Sequence, residues 1–444
     1  MPSACLADPP GIGPAAPNDS LAGRTSVRQC LQETRETPLR STASTPHALV
    51  IGGSIGGLSA ALLLRQRGFR VSIHERTPQE LSGRGAGIVT HRELWDVLAK
   101  LGDATLRDDG VALSRRVVLE QDGRIVTDRV FPQVMTSWDR LFRHLRRLWG
   151  DDTYVLGHEV ERVSQSEASV FAHFTDGSRV EADLLVAADG FRSTVRAQCN
   201  GDLSPLYAGY VGWRGMVDEA AMPDAVHREL FDIFSFGLPP GEQFVGYPVA
   251  GENDDLRPGH RRYNYVWYRP VDEAVGLPDI LTDVNGHTHV LSIPPPLVRP
   301  ELIARMRVDA DRMLAPQLAA IIRATQAPFL QPIYDLEAPS MGFGRIALVG
   351  DAAFVARPHL GAGVTKAVQD GLALADALVA DADIASAIER FSAERVPAGR
   401  RLVQRGRHLG AYMQAHLADD EQRAAASRHH SPAAVLEETA SLAF

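Results

Sequence analysis

A short apolar run, Ala48 to Ile51, leads into the turn Gly52-Gly-Ser-Ile-Gly-Gly57 and on into a helical pattern, Leu58 to Arg67. After Gly68 a second apolar strand, Phe69 to Ile73, reaches Glu75, 23 positions beyond Gly52. This is a βαβ unit, and its turn suits an anion. Glycines let backbone N–H groups face outward, the helix N-terminus carries partial positive charge, and an acid at this distance can accept ribose hydroxyls. A dinucleotide is therefore expected on Gly52, Gly53, Ser54, Ile55 and Gly57, with Glu75 and Arg76 at the ribose end. Ser54 replaces the middle glycine of G-x-G-x-x-G, and its small side chain still allows the diphosphate to approach. The alternative is an ordinary tight turn, against which helix, strand and acid in register argue.

The 444 residues, 45% of them hydrophobic, suffice for two or three domains with substantial cores. A net charge of −9 argues against a nucleic-acid binder, which would normally show a basic surface. No apolar run approaches the ~20 residues that span a membrane. Residues 1–46 mix Pro, Gly, Ser, Thr and Arg without periodicity and read as a disordered extension; they lack a secretory signal's apolar core. Cys5, Cys30 and Cys199 offer no spaced pair, so neither a disulfide framework nor a metal site is expected, and a cytoplasmic protein is.

Trp138 to Trp149 has helical periodicity, and Val155 to Ala182 reads as hairpin strands around Thr175-Asp-Gly-Ser178. The second glycine-rich stretch, Ser82 to Ile88, reads as a loop against the cofactor, bringing in Gly87 and Ile88. From Gly209 to about Pro270, short aromatic-rich strands between Pro and Gly turns predict an antiparallel sheet for a flat apolar ligand. Glu301 to Arg323 and Thr365 to Ala380 read as helices, as do residues 384–417; the last ~25 residues show no core face.

Two later segments narrow the reading. Ala182 to Arg196 is a buried strand, then Asp189-Gly190, then Ser193 and Arg196 opening a helix. Gly344 to Gly363 delivers Gly350-Asp351 from a strand into a glycine-rich turn before another helix. A strand-end acid can accept a ribityl hydroxyl, and the helix-start N–H groups can face a diphosphate or a flavin's pyrimidine edge. With these three ordered motifs the chain resembles the FAD-dependent aromatic hydroxylases, single-component flavoprotein monooxygenases of the para-hydroxybenzoate hydroxylase type, over about residues 47–400. Within that class the hydroxypyridine hydroxylases are most similar, on Thr136-Ser-Trp-Asp139, Tyr207 to Gly215 and Arg357-Pro-His359.

The resemblance implies an α/β fold: a Rossmann-like FAD-binding domain (47–205 and 340–380), an inserted antiparallel-sheet substrate domain (206–339), and C-terminal helices and tail (381–444). It places the FAD diphosphate on Gly52 to Gly57, Asp189-Gly190 at FAD and reduced nicotinamide, and Asp351 at the ribityl chain. Pro358 with Gly361, Ala362, Gly363 and Val364 would border the isoalloxazine. Trp138, Phe354 and Thr365 stand where the broader class has Arg, His and Asn.

Only one dinucleotide unit is present, so NADH or NADPH would visit as a transient co-substrate. A C4a-hydroperoxide formed with O2 would then hydroxylate an electron-rich ring such as a hydroxypyridine or phenol. His359, beside Pro358, is the candidate base for the ring hydroxyl, against the alternative of a surface-loop histidine. Pro358 and Tyr247 stand with His359 as candidate catalytic residues, and Arg214, Tyr247, Tyr265 and His359 are candidate substrate residues, with core or ion-pair roles as the alternative for Arg214 and the tyrosines. His74 and His91 read as structural or solvent-exposed. A flavin dehydrogenase or oxidase, or a non-catalytic flavin-bound ligand sensor, would share the FAD motifs; a homodimer is the candidate assembly.

Overall fold

The computed structural model describes residues 45–83, 87–102, 110–150, 153–201 and 203–442. The expected extension, except Thr45 and Pro46, lies outside them. The first motif builds the expected unit. His47–Ile51 lies parallel to Arg70–Glu75 on one side and Leu184–Ala187 on the other. The six-stranded sheet runs Gly342–Phe343, Ile346–Leu348, Leu184–Ala187, His47–Ile51, Arg70–Glu75, Tyr154–Leu156. Its central strands are continuous apolar runs because both helices and a three-stranded antiparallel sheet, Val160–Gln165, Val170–Phe174 and Arg179–Ala182, pack on them. Ile55–Gln66 packs on Gly363–Ala380, where Gly371 lets the helices approach with only the missing side chain between it and the Ala60 backbone.

A nine-stranded, mostly antiparallel sheet forms the second layer. Its inner strands are Phe329–Glu337, Leu206–Asp218, Arg262–Pro270, Gln243–Val249 and Phe234–Gly237. Phe354–Val355 is one edge, beside Phe329–Glu337, and three further strands, Val111–Leu119, Ile125–Ser137 and Gly87–Val89, come from residues expected in the FAD-binding segment. Side chains alternate between the sheet's two faces. Tyr263, Tyr265, Trp267 and Phe244 pack in one core with helix residues Leu302, Met306, Leu318 and Ile322. Val245, Tyr247, Val266 and Tyr268 belong to the opposite face.

Other elements follow the sequence with local changes. Trp138–Trp149 is one helix. The stretch expected as a helix over 301–323 is two, Pro300–Met313 and Pro316–Ala324, because Pro316 starts a new helix and cannot continue the old one. The C-terminal residues do have a core face: Ala425, Val435, Leu436 and Ala440 are buried around the helices Asp420–His429 and Pro432–Glu438. No helix among the described residues is long and apolar enough to cross a membrane.

Candidate active site

Two cavities follow the motifs. The first, about 380 Å³, is lined by Gly52, Ser54, Glu75, Arg76, Asp189 and Gly190. Its turn is shaped by backbone crowding. Gly52 sits at φ +98°, and a Cβ there, or at Gly57, would run into the Ala188 or Gly52 carbonyl respectively. Gly53 faces the Tyr154 ring, whose hydroxyl donates to the Gly53 carbonyl at 2.9 Å. Ile55 is buried in the helix's first turn. Glu75 stabilises the turn: its Oε2 accepts from Gly53 N–H at 2.8 Å, its Oε1 from Thr77 N–H and hydroxyl at 3.0 and 2.8 Å. Ser54 makes no capping bond, which leaves its hydroxyl for whatever occupies the cavity.

Two wall residues there were not singled out as site residues. Trp138 stacks on Phe142 with centroids 5.0 Å apart. His74 is buried, its Nδ1 2.6 Å from His158 Nδ1; burial first, then His158, pushes its pKa down to about 4.

The Asp189-Gly190 motif has a structural use as well. Asp189 accepts from the Ser193 hydroxyl at 2.6 Å and the Val195 N–H at 3.2 Å, holding the start of the helix Thr194–Asn200. The residue that sequence reasoning left without a role is Arg196. Its buried guanidinium donates to the carbonyls of Phe191 at 2.7 Å, Ala352 at 3.2 Å and Asp351 at 3.4 Å. It thus ties the second motif to the third, and its seven-residue spacing from Asp189 was the available signal.

The second cavity, about 540 Å³, lies between the third motif and the aromatic sheet. Gly87, Ile88, Arg214, Tyr247, Asp351, Pro358, His359, Gly361, Ala362, Gly363 and Val364 all line it. Phe191 lines both cavities, so the two chambers adjoin at the second motif. Gly87 begins a three-residue strand and faces the Tyr247 ring, where a Cβ would not fit.

Tyr265 is not in this chamber. It sits on the other face of the sheet, stacked on Phe244 with centroids 5.5 Å apart, since its chain neighbour Val266 takes the cavity side. The expected substrate role of Tyr265 is thus corrected: its strand borders the chamber, but its side chain is on the opposite face.

The cavity-side polar groups are few and underused. Arg214 donates from Nη1 to Gln331 Oε1 at 2.7 Å, while its Nε is buried without a partner. Gln243 Oε1 is also buried and unpartnered. Tyr247 and Tyr268 have no hydrogen-bond partner for their hydroxyls among the described residues, and burial pushes Tyr247 up to about 12. Arg357, by contrast, is committed to Asp335 at 3.0 Å and Gln414 at 2.7 Å.

His359 is not a surface-loop residue. It is 3% exposed, its Nε2 2.6 Å from the Tyr210 hydroxyl and its ring edge-on to Tyr268 at 4.8 Å. Burial first, and the neighbouring Arg357 cation second, push its pKa down to about 3. A neutral imidazole this hard to protonate is a weak base. His91 is likewise buried, 3.2 Å from the Thr365 hydroxyl, so solvent exposure is excluded for it.

The arrangement suits FAD. Gly190, at φ +78°, and Gly363 have open space where a Cβ would stand, and each lines a cavity. The helix from Gly363 adds free first-turn N–H groups. An extended dinucleotide with a ring system thus has a backbone-lined chamber, an aromatic-lined chamber and a join between them.

A two-layer flavoprotein monooxygenase fold is what these features define, and comparison with known proteins agrees. Residues 50–113 match an NAD(P)-binding Rossmann-like domain, 207–335 an FAD binding domain-like family and 332–406 an FAD binding domain. The 2,6-dihydroxypyridine 3-monooxygenase of Paenarthrobacter nicotinovorans is 30% identical over 84% of this chain and 92% of its own length. The structure of 2,6-dihydroxypyridine-3-hydroxylase from Arthrobacter nicotinovorans superposes with a TM-score of 0.78, covering 84% of this chain and 93% of that one at 30% identity. That of Klebsiella pneumoniae HpxO complexed with FAD and uric acid gives 0.69 at 26% identity, covering 89% and 93%. The chain belongs to the FAD-dependent aromatic hydroxylase family.

Proposed function

We propose that this chain hydroxylates a small N-heteroaromatic ring bearing a hydroxyl, bound as its oxyanion, at the expense of NAD(P)H and O2. The observation that carries the reading is the pairing, in one aromatic-walled chamber, of the Arg214 guanidinium with the unpartnered Gln243 carbonyl oxygen. A half-buried cation with no carboxylate on it among the described residues favours a ring oxyanion by charge, which lowers that hydroxyl's pKa without a base. A buried amide acceptor favours a ring N–H. Phenols offer the first group and not the second. The relatives that act on 2,6-dihydroxypyridine and on urate support the same substrate class.

FAD, when bound, supplies the redox and oxygen chemistry. For this chain's residues we assign Gly52, Gly53, Ser54, Ile55, Gly57, Glu75 and Arg76 to the adenosine diphosphate half. Asp189 and Gly190 stand at the join. Asp351, Pro358 and Gly361 to Val364, with Gly87 and Ile88, surround the ribityl–isoalloxazine half. Tyr247 donates a hydrogen bond to the substrate oxygen, and neutral His359 orients the ring rather than deprotonating it. The aromatic walls exclude water from the reacting carbon. A cytoplasmic location and a homodimer fit a nicotinamide-consuming catabolic enzyme.

The test is oxidation of NADH and of NADPH by FAD-loaded protein with hydroxypyridines, hydroxybenzoates and simple phenols, with products identified by mass. Hydroxypyridines are expected to give hydroxylated product in step with reductant consumed. Equal turnover of simple phenols would remove the Gln243 argument, and no hydroxylated product from any ring would remove the reading.

A further inference from the structure

The substrate sheet holds a cation that the reaction does not use. Arg116, on the strand Val111–Leu119, is fully buried, yet no carboxylate among the described residues reaches it. Burial pushes its pKa down to about 9, so it remains a cation at neutral pH. Its Nη1 donates to the carbonyls of Leu436 at 2.9 Å and Thr439 at 2.7 Å, and its Nη2 to Gln133 Oε1 at 2.8 Å and the Ala440 carbonyl at 3.4 Å. The guanidinium lies 3.9 Å from the Phe131 centroid and 5.0 Å from that of Phe234. Its charge is therefore balanced by the carbonyl end of the helix Pro432–Glu438 and by ring faces.

That helix end leads directly to the active chamber. Thr439 and Ala440 line the 540 Å³ cavity. Ala440 adopts φ +54°, a left-handed conformation that costs an alanine energy and persists only where surroundings impose it. There its N–H donates to the His359 carbonyl at 2.7 Å, so the C-terminal segment grips the turn that borders the flavin site. Leu436 and Val435 are buried in the same cluster as Tyr247 and Val245.

We propose that residues 432–442 are the closing wall of the flavin–substrate chamber and that Arg116 is the positioning residue that clamps this wall in place. Arg116 touches no substrate. It acts through the carbonyls it holds, and through Ala440 on His359. Thr439 and Ala440 thereby become specificity-determining positions, since their side chains bound the space open to the ring.

The inference rests on the flavin-site reading only for what the wall encloses. Hydrogen exchange on the FAD-loaded full chain tests the clamp. Amides of 436–442 are expected to be protected, and Arg116→Met to speed their exchange about 10²-fold with little change elsewhere, as loss of several charged hydrogen bonds implies. Arg116→Lys, keeping a cation with three donors, is expected to restore most of that protection. A second variant, lacking residues 439–444, tests the wall: iodide quenching of bound-flavin fluorescence is expected to rise about fivefold or more. Unprotected wild-type amides, or unchanged exchange in folded Arg116→Met, would overturn the clamp. If Arg116→Met does not fold, unchanged quenching in the shortened chain overturns the proposal. A colourless protein that takes up no FAD would instead count against the flavin reading, while exchange still decides the clamp.

Discussion

The two chambers are built by opposite means. The 380 Å³ chamber is shaped by backbone: glycines without room for a Cβ, a carboxylate holding N–H groups, a helix start. The 540 Å³ chamber is shaped by side chains that alternate along strands, and its polar groups reach into it from four different strands. A backbone site tolerates changes in side-chain chemistry but not added bulk at its close approaches. A side-chain site tolerates neither the loss of one functional group nor a shift of one residue in register.

The sharpest break between them is expected at Gly52. A methyl group there meets the Ala188 carbonyl, and φ +98° disfavours any L side chain. Gly52→Ala is expected to lose FAD by about 10²-fold or more, or to fail to fold, since such strain costs about 1–3 kcal/mol before any clash is added. Ser54→Gly, two residues on, is expected to weaken FAD binding by no more than about tenfold, because it strains no backbone and removes at most one neutral hydroxyl hydrogen bond to the occupant of the cavity. Flavin content after gel filtration and a titration of the apoprotein read both. Equal losses in the two variants would erase the distinction.

In the other chamber one functional group carries the largest effect. Arg214→Met keeps most of the side chain's length and removes its charge. The KM for the ring substrate is expected to rise about 10–10²-fold, the weight of a charged hydrogen bond, with FAD content unchanged. A normal KM together with lost flavin would place Arg214 in the wrong chamber.

This difference also explains what was legible in the sequence. Gly52 to Gly57, Glu75, Asp189-Gly190 and Asp351 are read from spacing because backbone geometry dictates both residue type and interval. All of them line or support the two cavities. Arg214 and Tyr247 were found through their strand, but the same reasoning put Tyr265 beside them. Parity along a strand needs one fixed point, and Tyr263-Asn-Tyr-Val-Trp-Tyr268 carries apolar or aromatic residues on both faces, so the pattern does not show which face meets the ligand. The C-terminal wall was missed for a different reason. Val435 and Leu436 are buried against the sheet face of Val245 and Tyr247, and Arg116, some 320 positions before Leu436, bonds the carbonyls of that segment. Short elements held by long-range contacts leave no periodic signal.

His359 joins the two chambers' logics: a side chain seated in a backbone turn. Its folded pKa of about 3 lies below the ordinary 6.5, so the unfolded chain binds the proton more readily. As pH falls below about 6.5 the folded state loses stability, by about 1.4 kcal/mol per unit at most, until about pH 3, where both states are protonated. His359→Gln is expected to remove this contribution and flatten the acid limb of urea-unfolding free energy between pH 4 and 6. His74, pushed down to about 4, acts in the same sense in both proteins and cancels in the difference. Identical acid limbs would mean that the imidazole is as easily protonated folded as unfolded.

The smallest effects test the parity argument itself. Tyr247 and Tyr265 stand on neighbouring strands, both buried, both tyrosines on an aromatic sheet, and they differ in which face they occupy. Tyr247→Phe removes a hydroxyl that has no partner among the described residues and opens on the ring chamber. Loss of one neutral hydrogen bond to the substrate is expected to lower kcat/KM about fivefold to tenfold, with thermal stability little changed. Tyr265→Phe removes a hydroxyl buried on the helix side, far from the chamber wall, and is expected to leave kcat/KM within about twofold. Its stability is expected to move by no more than about 1 kcal/mol, since the ring and its stacking on Phe244 remain. The pair is informative because the sequence offers both as candidate substrate residues. If Tyr265→Phe were the one to depress turnover, the sheet would present its other face to the ring, and Arg214, Gln243 and Tyr247 would all lose their assigned roles together.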